Sequence, residues 1–335
     1  MEQAAGRDGY DVVVVGGGSA GLSGALALGR ARRRVLVVDA GDPRNAPAAG
    51  VHNYLTSEGM PPAALLATGR AEVEAYGVEV RSGRVTSATA LDVGPGQLAF
   101  SVGLADGTSV TARRLLVTTG LTDVLPDLPG LAARWGRDVV HCPYCHGYEV
   151  RDEPIGVLAT GPMAVHVALL FRQWSPDVVL FQHTAPALTE EQAEQLAARG
   201  IAVVDEPVAG LAVVDDRLAG VRLVSGTVVP RRVLAVSPGF AARSEVLAGL
   251  GVGTEEFRMG EHVLGTFVPA DLMGATAVPG VWVAGNVTEP MAQVVAAAGA
   301  GLKAAAALNG DLVTEDTALA VARRRAEAGA YAGRS

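Results

Sequence analysis

The sequence predicts an α/β protein of two Rossmann-like domains, each a three-layer ββα arrangement, with the second inserted into the first. Three observations predict it. A buried-strand run enters a glycine-rich turn at residues 16–21, followed by a helix, a second strand and an acid. A poorer copy of that outline lies at residues 155–181. A late strand ending in Gly285-Asn286 lies beyond the copy and returns the chain to the first domain. A length of 335 residues suits two ordinary domains, and 49% hydrophobic with 19% charged residues is a globular composition.

The first unit has its full context. Asp11 to Val15 is a four-valine strand, Gly16-x-Gly18-x-x-Gly21 the turn, residues to about Gly29 a helix, and Val35 to Val38 a strand ending in Asp39. Asp39 lies 23 residues after the first glycine. Gly16 allows the tight turn, Gly18 admits a pyrophosphate to the backbone, and Gly21 lets helix and strand pack closely. The helix N-terminus offers N–H groups and a positive dipole end to phosphates, and Asp39 can accept from a ribose hydroxyl. Gly41 to Asn45, with Arg44 and Asn45, is a loop able to fold over a cofactor.

Pro61 to Tyr76 predicts a helix. From Val78 to Val117 short strands alternate with turns at Ser82-Gly83, Gly94-Pro95-Gly96 and Asp106-Gly107. Leu115 to Gly120 is a buried strand running into glycine, followed by a proline-bearing link from Asp123 to Gly130. The second unit comprises Ile155 to Ala164, a helix to about Trp174 and a strand at Val178 to Phe181. Strands follow at 202–204, 221–224 and 233–236, and Ser237-Pro238-Gly239 is a second link. The expected parts are therefore 1–123 and 239–335 of one domain, with 124–238 inserted. After Gly280 to Asn286, one helix is expected from Met291 to Leu308 and a separate arginine-rich helix from Ala318 to Ala328.

The only two cysteines lie in His141-Cys142-Pro143-Tyr144-Cys145-His146-Gly147-Tyr148-Glu149. The C-x-x-C spacing suits a redox dithiol. The same run also fits haem attachment, zinc or two buried small residues. A net charge of −8 argues against nucleic-acid binding. The apolar stretch 294–308 is rich in Ala and Gly and interrupted by Lys303, so a buried helix is expected and no membrane span. No secretory signal is visible, so a cytoplasmic location is expected. Thiols there stay reduced unless they turn over.

Taken together, the chain resembles the low-molecular-weight thioredoxin reductases over nearly its whole length. The resemblance rests on Gly16-x-Gly18-x-x-Gly21, Leu116 to Gly120, Cys142-x-x-Cys145, and Gly285-Asn286-Val287 followed by Gln293-Val294-Val295, in that order. It implies a homodimer with an FAD domain split by a pyridine-nucleotide-type domain that carries the dithiol. It places Gly16, Gly18, Ser19, Ala20, Gly21, Asp39, Ala40, Arg44, Asn45, Asn53, Thr119, Gly120, Gly285, Asn286, Gln293 and Val294 around FAD.

Three departures qualify it. The family has Gly-Asp where this chain has Gly285-Asn286, which can still bond a ribityl hydroxyl. The inserted domain is degenerate: Ala159 replaces its first turn glycine, and Gln182-His183-Thr184 stands where the family binds the 2′-phosphate of NADPH with arginines. NADPH binding is thus expected to be weak or absent. His146 stands where the reductases carry aspartate, and here the run resembles the dithiol oxidases that close disulfides in natural products such as holomycin, gliotoxin and romidepsin.

The oxidases take electrons from a small-molecule dithiol and deliver them through FAD to O₂. The resemblance implies attack at Cys142, Cys145 as the sulfur nearer the flavin, and His146 as acid and base. His141 is expected to end a strand. His52, His166, His183 and His262 are taken as structural or surface residues, Tyr144 as a substrate-contact or packing group, and Glu149 as a group that orients a histidine or sits at a solvent edge. The loops around 52–60 and 255–270 are expected to shape the pocket. Other readings are a reductase of thioredoxin or another protein disulfide, fed by NADPH or another donor, and a flavin-bearing redox sensor.

Overall fold

The computed structural model describes residues 9–332, with side chains to 328. The segment before Gly9, part of the stretch screened for a leader, lies outside the described residues. The chain begins with β1 (Tyr10–Val15), α1 (Ser19–Arg30), β2 (Val35–Asp39), α2 (Pro62–Glu74), β3 (Glu79–Ser82), β4 (Val85–Leu91), β5 (Ala99–Leu104), β6 (Ser109–Val117) and β7 (Leu121–Val124). Then come β8 (Val139–Val140), α3 (Pro143–His146), β9 (Ile155–Leu158), α4 (Ala164–Phe171), β10 (Val178–Phe181), α5 (Glu190–Ala198) and β11 (Ala202–Val204). Strands β12 (Val208–Val214), β13 (Arg217–Leu223), β14 (Val228–Pro230), β15 (Val233–Val236) and β16 (Gly239–Ala242) follow. The chain ends with α6 (Glu245–Ala248), β17 (Glu255–Met259), β18 (His262–Phe267), β19 (Val281–Val283) and α7 (Val294–Ala332).

The first sheet has the order β3-β2-β1-β6-β5-β4, and β19 pairs with β6. Its parallel core is the valine run of β1 between β2 and β6, buried on both faces. Strands buried on both faces read as continuous apolar runs, which is why β1, β2 and β6 were legible. One face packs on α1 and α7 through Ala25, Leu28, Ala304 and Leu308. The other packs on Val246, Leu247 and Val268.

The second sheet, β11-β10-β9-β15-β8, is wholly parallel. Its strands carry α4 and α5 on one face, through Ala168, Phe171 and Leu196, and the antiparallel sheet β12-β13-β14 on the other, through Val208, Leu218 and Val221. This is the three-layer ββα arrangement predicted. Two mixed α/β units with Rossmann-like sheets make up the chain. No helix among the described residues is long and apolar enough to cross a membrane.

Two expectations are corrected. The stretches taken as links are partly strands: β7 pairs antiparallel with β16 from Leu121↔Ala242 to Val124↔Gly239, and β16 continues into the β17–β18 hairpin. The C-terminal helices are one 39-residue helix, α7. Asn309-Gly310 reads as a break because glycine costs about 1 kcal/mol inside a helix. The helix continues because its middle turns are tied to the first sheet. Leu308 and Leu312 are fully buried. Arg33 donates to Asn309 Oδ1 at 2.7 Å. Arg113 reaches Glu315 at 2.7 Å and Asp316 at 2.6 Å, and Arg114 reaches Asp311 at 2.5 Å and Glu315 at 2.8 Å.

Glu315 is the buried centre of that network, with its side chain 4% exposed. Burial opposes its ionisation, but hydrogen bonds from Arg113 and Arg114 outweigh burial and hold its carboxyl below the usual range. Its contribution to stability is therefore complete at neutral pH and is lost as pH falls through that lowered value. Glu315→Ala leaves two buried guanidinium groups short of a partner and should destabilise the fold by about 3 kcal/mol. Chemical denaturation at neutral pH measures it, and an unchanged midpoint would contradict this account of α7.

Candidate active site

A cleft of about 1590 Å³ runs between the two units. One end is the turn between β1 and α1. Gly16 holds φ at 105°, and a Cβ there would stand 2.6 Å from the Thr118 carbonyl. Gly21 lies behind the wall, since a Cβ there would collide with the Gly16 carbonyl. Gly18 leaves open space where a Cβ would stand, and no side chain caps the start of α1. These bare N–H groups and the open approach fit the pyrophosphate of an ADP-bearing cofactor such as FAD. Asp39, at the end of β2, accepts from the Gly17 N–H at 3.0 Å and pairs with Arg70.

The other residues expected around FAD divide. Ser19, Ala20, Ala40, Asn45, Thr119, Gly120, Gly285, Asn286, Gln293 and Val294 line the cleft. Arg44 lines it too, but its guanidinium is held by Asp123 at 2.9 and 2.6 Å and lies over the Phe240 ring. Thr119 Oγ1 donates to the Arg243 carbonyl at 2.5 Å. Asn286 Nδ2 lies 2.9–3.2 Å from the carbonyls of Glu289, Pro290 and Ala292. That explains the Gly-Asn departure, because an aspartate has no N–H to give those carbonyls.

At the far end, Cys142 and Cys145 form a disulfide, with Cα atoms 5.2 Å apart. Cys142 caps the single turn α3, and the N–H groups of Cys145 and His146 both bond its carbonyl at 3.1 Å. Cys142, Cys145, His146, Tyr144 and His141 all line the cleft that the glycine turn opens. His141 follows β8, sits 3.3 Å from the Val236 carbonyl and meets Phe240 edge-on. Nδ1 of His146 is buried with no hydrogen-bond partner among the described residues. Burial lowers the His146 pKa, Glu149 opposes the shift and His52 adds to it. Burial thus favours the neutral imidazole, the form able to accept a proton.

Two placements depart from expectation. Asn53 is not on the cleft wall; its Nδ2 donates to the Tyr144 carbonyl at 2.6 Å and so fastens the 51–60 loop to the dithiol turn. His52, taken as structural or surface, lines the cleft. It bonds Glu58 at 2.7 Å and faces Glu149 at 3.5 Å. No sequence signal marks it, because the loop that carries it meets α3 only through tertiary packing.

The second glycine turn opens on the same cleft, through Thr160 to Ala164. The run after β10, by contrast, is bonded within the domain. The Ala159 carbonyl accepts from Thr184 and Ala185 N–H groups at 3.2 and 3.1 Å. Gln182 Nε2 donates to the Ala185 and Pro186 carbonyls, and His183 Nδ1 accepts from Val208 N–H at 3.1 Å.

The pyridine nucleotide-disulphide oxidoreductase family model matches residues 10–301. A probable thioredoxin reductase of Arthroderma benhamiae is 37% identical over 46% of this chain and 38% of its own length. Thioredoxin reductase tcpT of Claviceps purpurea is 34% identical over 54% of this chain and 58% of its own length. The matches thus span less than two thirds of these two relatives. Thioredoxin reductase sirT of Leptosphaeria maculans is 28% identical over 92% of this chain and 96% of its own length. Among solved structures, HlmI is 48% identical with a TM-score of 0.87, covering 96% of this chain and 98% of that one. An Agrobacterium tumefaciens oxidoreductase is 35% identical with a TM-score of 0.83, covering 91% and 99%. With the family model matched across both sheets and a disulfide in the cleft between them, the chain belongs to the pyridine nucleotide-disulphide oxidoreductases, as a thioredoxin-reductase-like disulfide oxidoreductase.

Proposed function

We propose that the protein is an FAD-dependent dithiol oxidase that closes a disulfide in a small-molecule, natural-product-type dithiol, with O₂ as acceptor and H₂O₂ as product. The observation that carries this reading is the pairing of a cleft-lining Cys142–Cys145 disulfide beside His146 with an arginine-free run after β10, Gln182-His183-Thr184, that is bonded to neighbouring backbone. The likeness to HlmI, tcpT and sirT supports it.

In this reading Gly16, Gly18, Ser19, Ala20 and Asp39 hold the ADP part of FAD. Gly285, Asn286, Gln293 and Val294 hold its ribityl chain and ring edge, and residues 1–123 and 239–335 form its domain around the insert at 124–238. When bound, FAD supplies the two-electron sink that returns the Cys142–Cys145 dithiol to a disulfide and passes the pair to O₂.

The remaining chemistry belongs to the chain. A substrate thiolate attacks Sγ of Cys142; the Cys142–Cys145 bond breaks and Cys145 leaves as thiolate. The second substrate thiolate attacks the substrate sulfur of that mixed disulfide. The bond to Cys142 breaks, the product disulfide departs, and two electrons stay on the cysteine pair. His146 takes the proton of the incoming thiol and returns it to a leaving thiolate. The reading includes a cytoplasmic homodimer that binds neither nucleic acid nor membrane. Val295, Leu302 and Val313 are exposed along one face of α7, which suits burial against a second copy.

Anaerobic stopped-flow mixing tests the electron donor. Dithiothreitol should bleach the flavin of the purified protein, NADPH should not, and admitting air should yield H₂O₂. Rapid bleaching by NADPH would instead make the protein a reductase.

A further inference from the structure

The redox turn opens on a second concavity that the chemistry above does not use. It holds about 450 Å³ and is lined by Tyr144, Leu169, Leu170, Gln173, Trp174 and Arg199. Tyr144 and Leu170 also line the main cleft, so the two spaces meet at these side chains. Tyr144 stands between the two cysteines in sequence, so one wall of this groove belongs to the dithiol turn.

Its walls are apolar and aromatic. The Tyr144 ring is 58% exposed, yet it is set edge-on against Trp174 at 5.9 Å and 90°. Trp174 is braced in turn by Phe171 at 6.4 Å. Leu170 is only partly buried on the same side of α4. Arg199 is exposed at the rim, and its guanidinium has no partner among the described residues. An exposed tyrosine held in place by a second ring offers rigid contact area at little cost in side-chain entropy. The concavity is open to solvent and not enclosed.

Resting on the oxidase reading, we propose that Tyr144, Leu170 and Trp174 form a subsite for the body of the substrate, and that this body is aromatic or heteroaromatic. The dithiol end then lies at Cys142, and the ring system extends over Tyr144 onto α4. The inserted domain thereby contributes substrate selection from the helix that follows its glycine turn.

Steady-state oxidation of two dithiols tests this. One, 1,2-benzenedimethanethiol, carries a ring; the other, dithiothreitol, has none. Leu170→Ala and Trp174→Ala should each raise the KM for the aromatic dithiol about tenfold more than the KM for dithiothreitol, the loss expected when a pocket gives up apolar contact. Leu170→Ala leaves the Tyr144–Trp174 ring packing in place, so it separates substrate contact from damage to the turn. A wild-type protein that oxidises both dithiols, with variants that lose both equally, overturns the subsite alone. A wild-type protein that oxidises neither overturns the proposed function and the subsite with it.

Discussion

Cys142→Ser should lower dithiol-dependent H₂O₂ formation by at least about 10³-fold, the scale set by removing other catalytic nucleophiles. The reason is electron accounting. The cysteine pair is the only sulfur couple in the chain, because no other cysteine exists. With serine at 142 no enzyme disulfide forms, so a substrate thiolate finds no sulfur–sulfur bond to attack. A hydroxyl in that place is neither an electrophile nor a two-electron acceptor.

The same substitution should leave the fold and bound flavin intact. The turn is held by the Cys142 carbonyl, which accepts from Cys145 and His146, and the backbone does not change. The site proposed for FAD lies on other elements, from Gly16 to Asp39 and from Gly285 to Val294. The visible spectrum and thermal midpoint check that half of the expectation. A Cys142→Ser protein that keeps full turnover would place the chemistry elsewhere in the cleft.

What was legible in the sequence was local or periodic. The valine run of β1, the Gly16 turn and Asp39 announce one unit because each residue type is demanded by backbone geometry there. The strands between 79 and 117 were marked by their glycine turns. The parts that escaped are those decided by distant partners. β7 and β16 sit in stretches that read as proline and glycine links, and they are strands because they pair with each other across the inserted domain. α7 runs through Gly310 because Arg113 and Arg114, two hundred residues earlier, hold its acids.

The candidate site shows the same division. Cys142, Cys145 and His146 are adjacent in sequence, so their grouping needed no fold. His52 joins them only because the 51–60 loop is pinned to α3 by Asn53, whose own φ of 59° is a left-handed conformation that asparagine tolerates. The Asn286 departure was visible, yet its cause was not. The carbonyls of Glu289, Pro290 and Ala292 converge on its amide only once the loop before α7 is folded.

His146→Ala should reduce kcat by about 10²–10⁴-fold, the range for losing a positioned acid–base group. Its pH behaviour separates that role from a structural one. Burial lowers the His146 pKa from 6.5; the nearby Glu149 carboxylate pulls it back and His52 pushes it further down. The imidazole accepts a proton only in its neutral form, so kcat/KM should hold above that lowered value and fall as pH drops through it. The acidic limb of the wild-type profile is thus expected below 6.5. In His146→Ala the limb should vanish along with most of the rate, because no base remains to be protonated. His146→Asn keeps a polar group of similar shape but cannot carry the proton, so it should behave like the alanine variant. If either variant retains the wild-type limb, the titrating base is another group, and His52, which shares the cleft and faces Glu149, is the next to test.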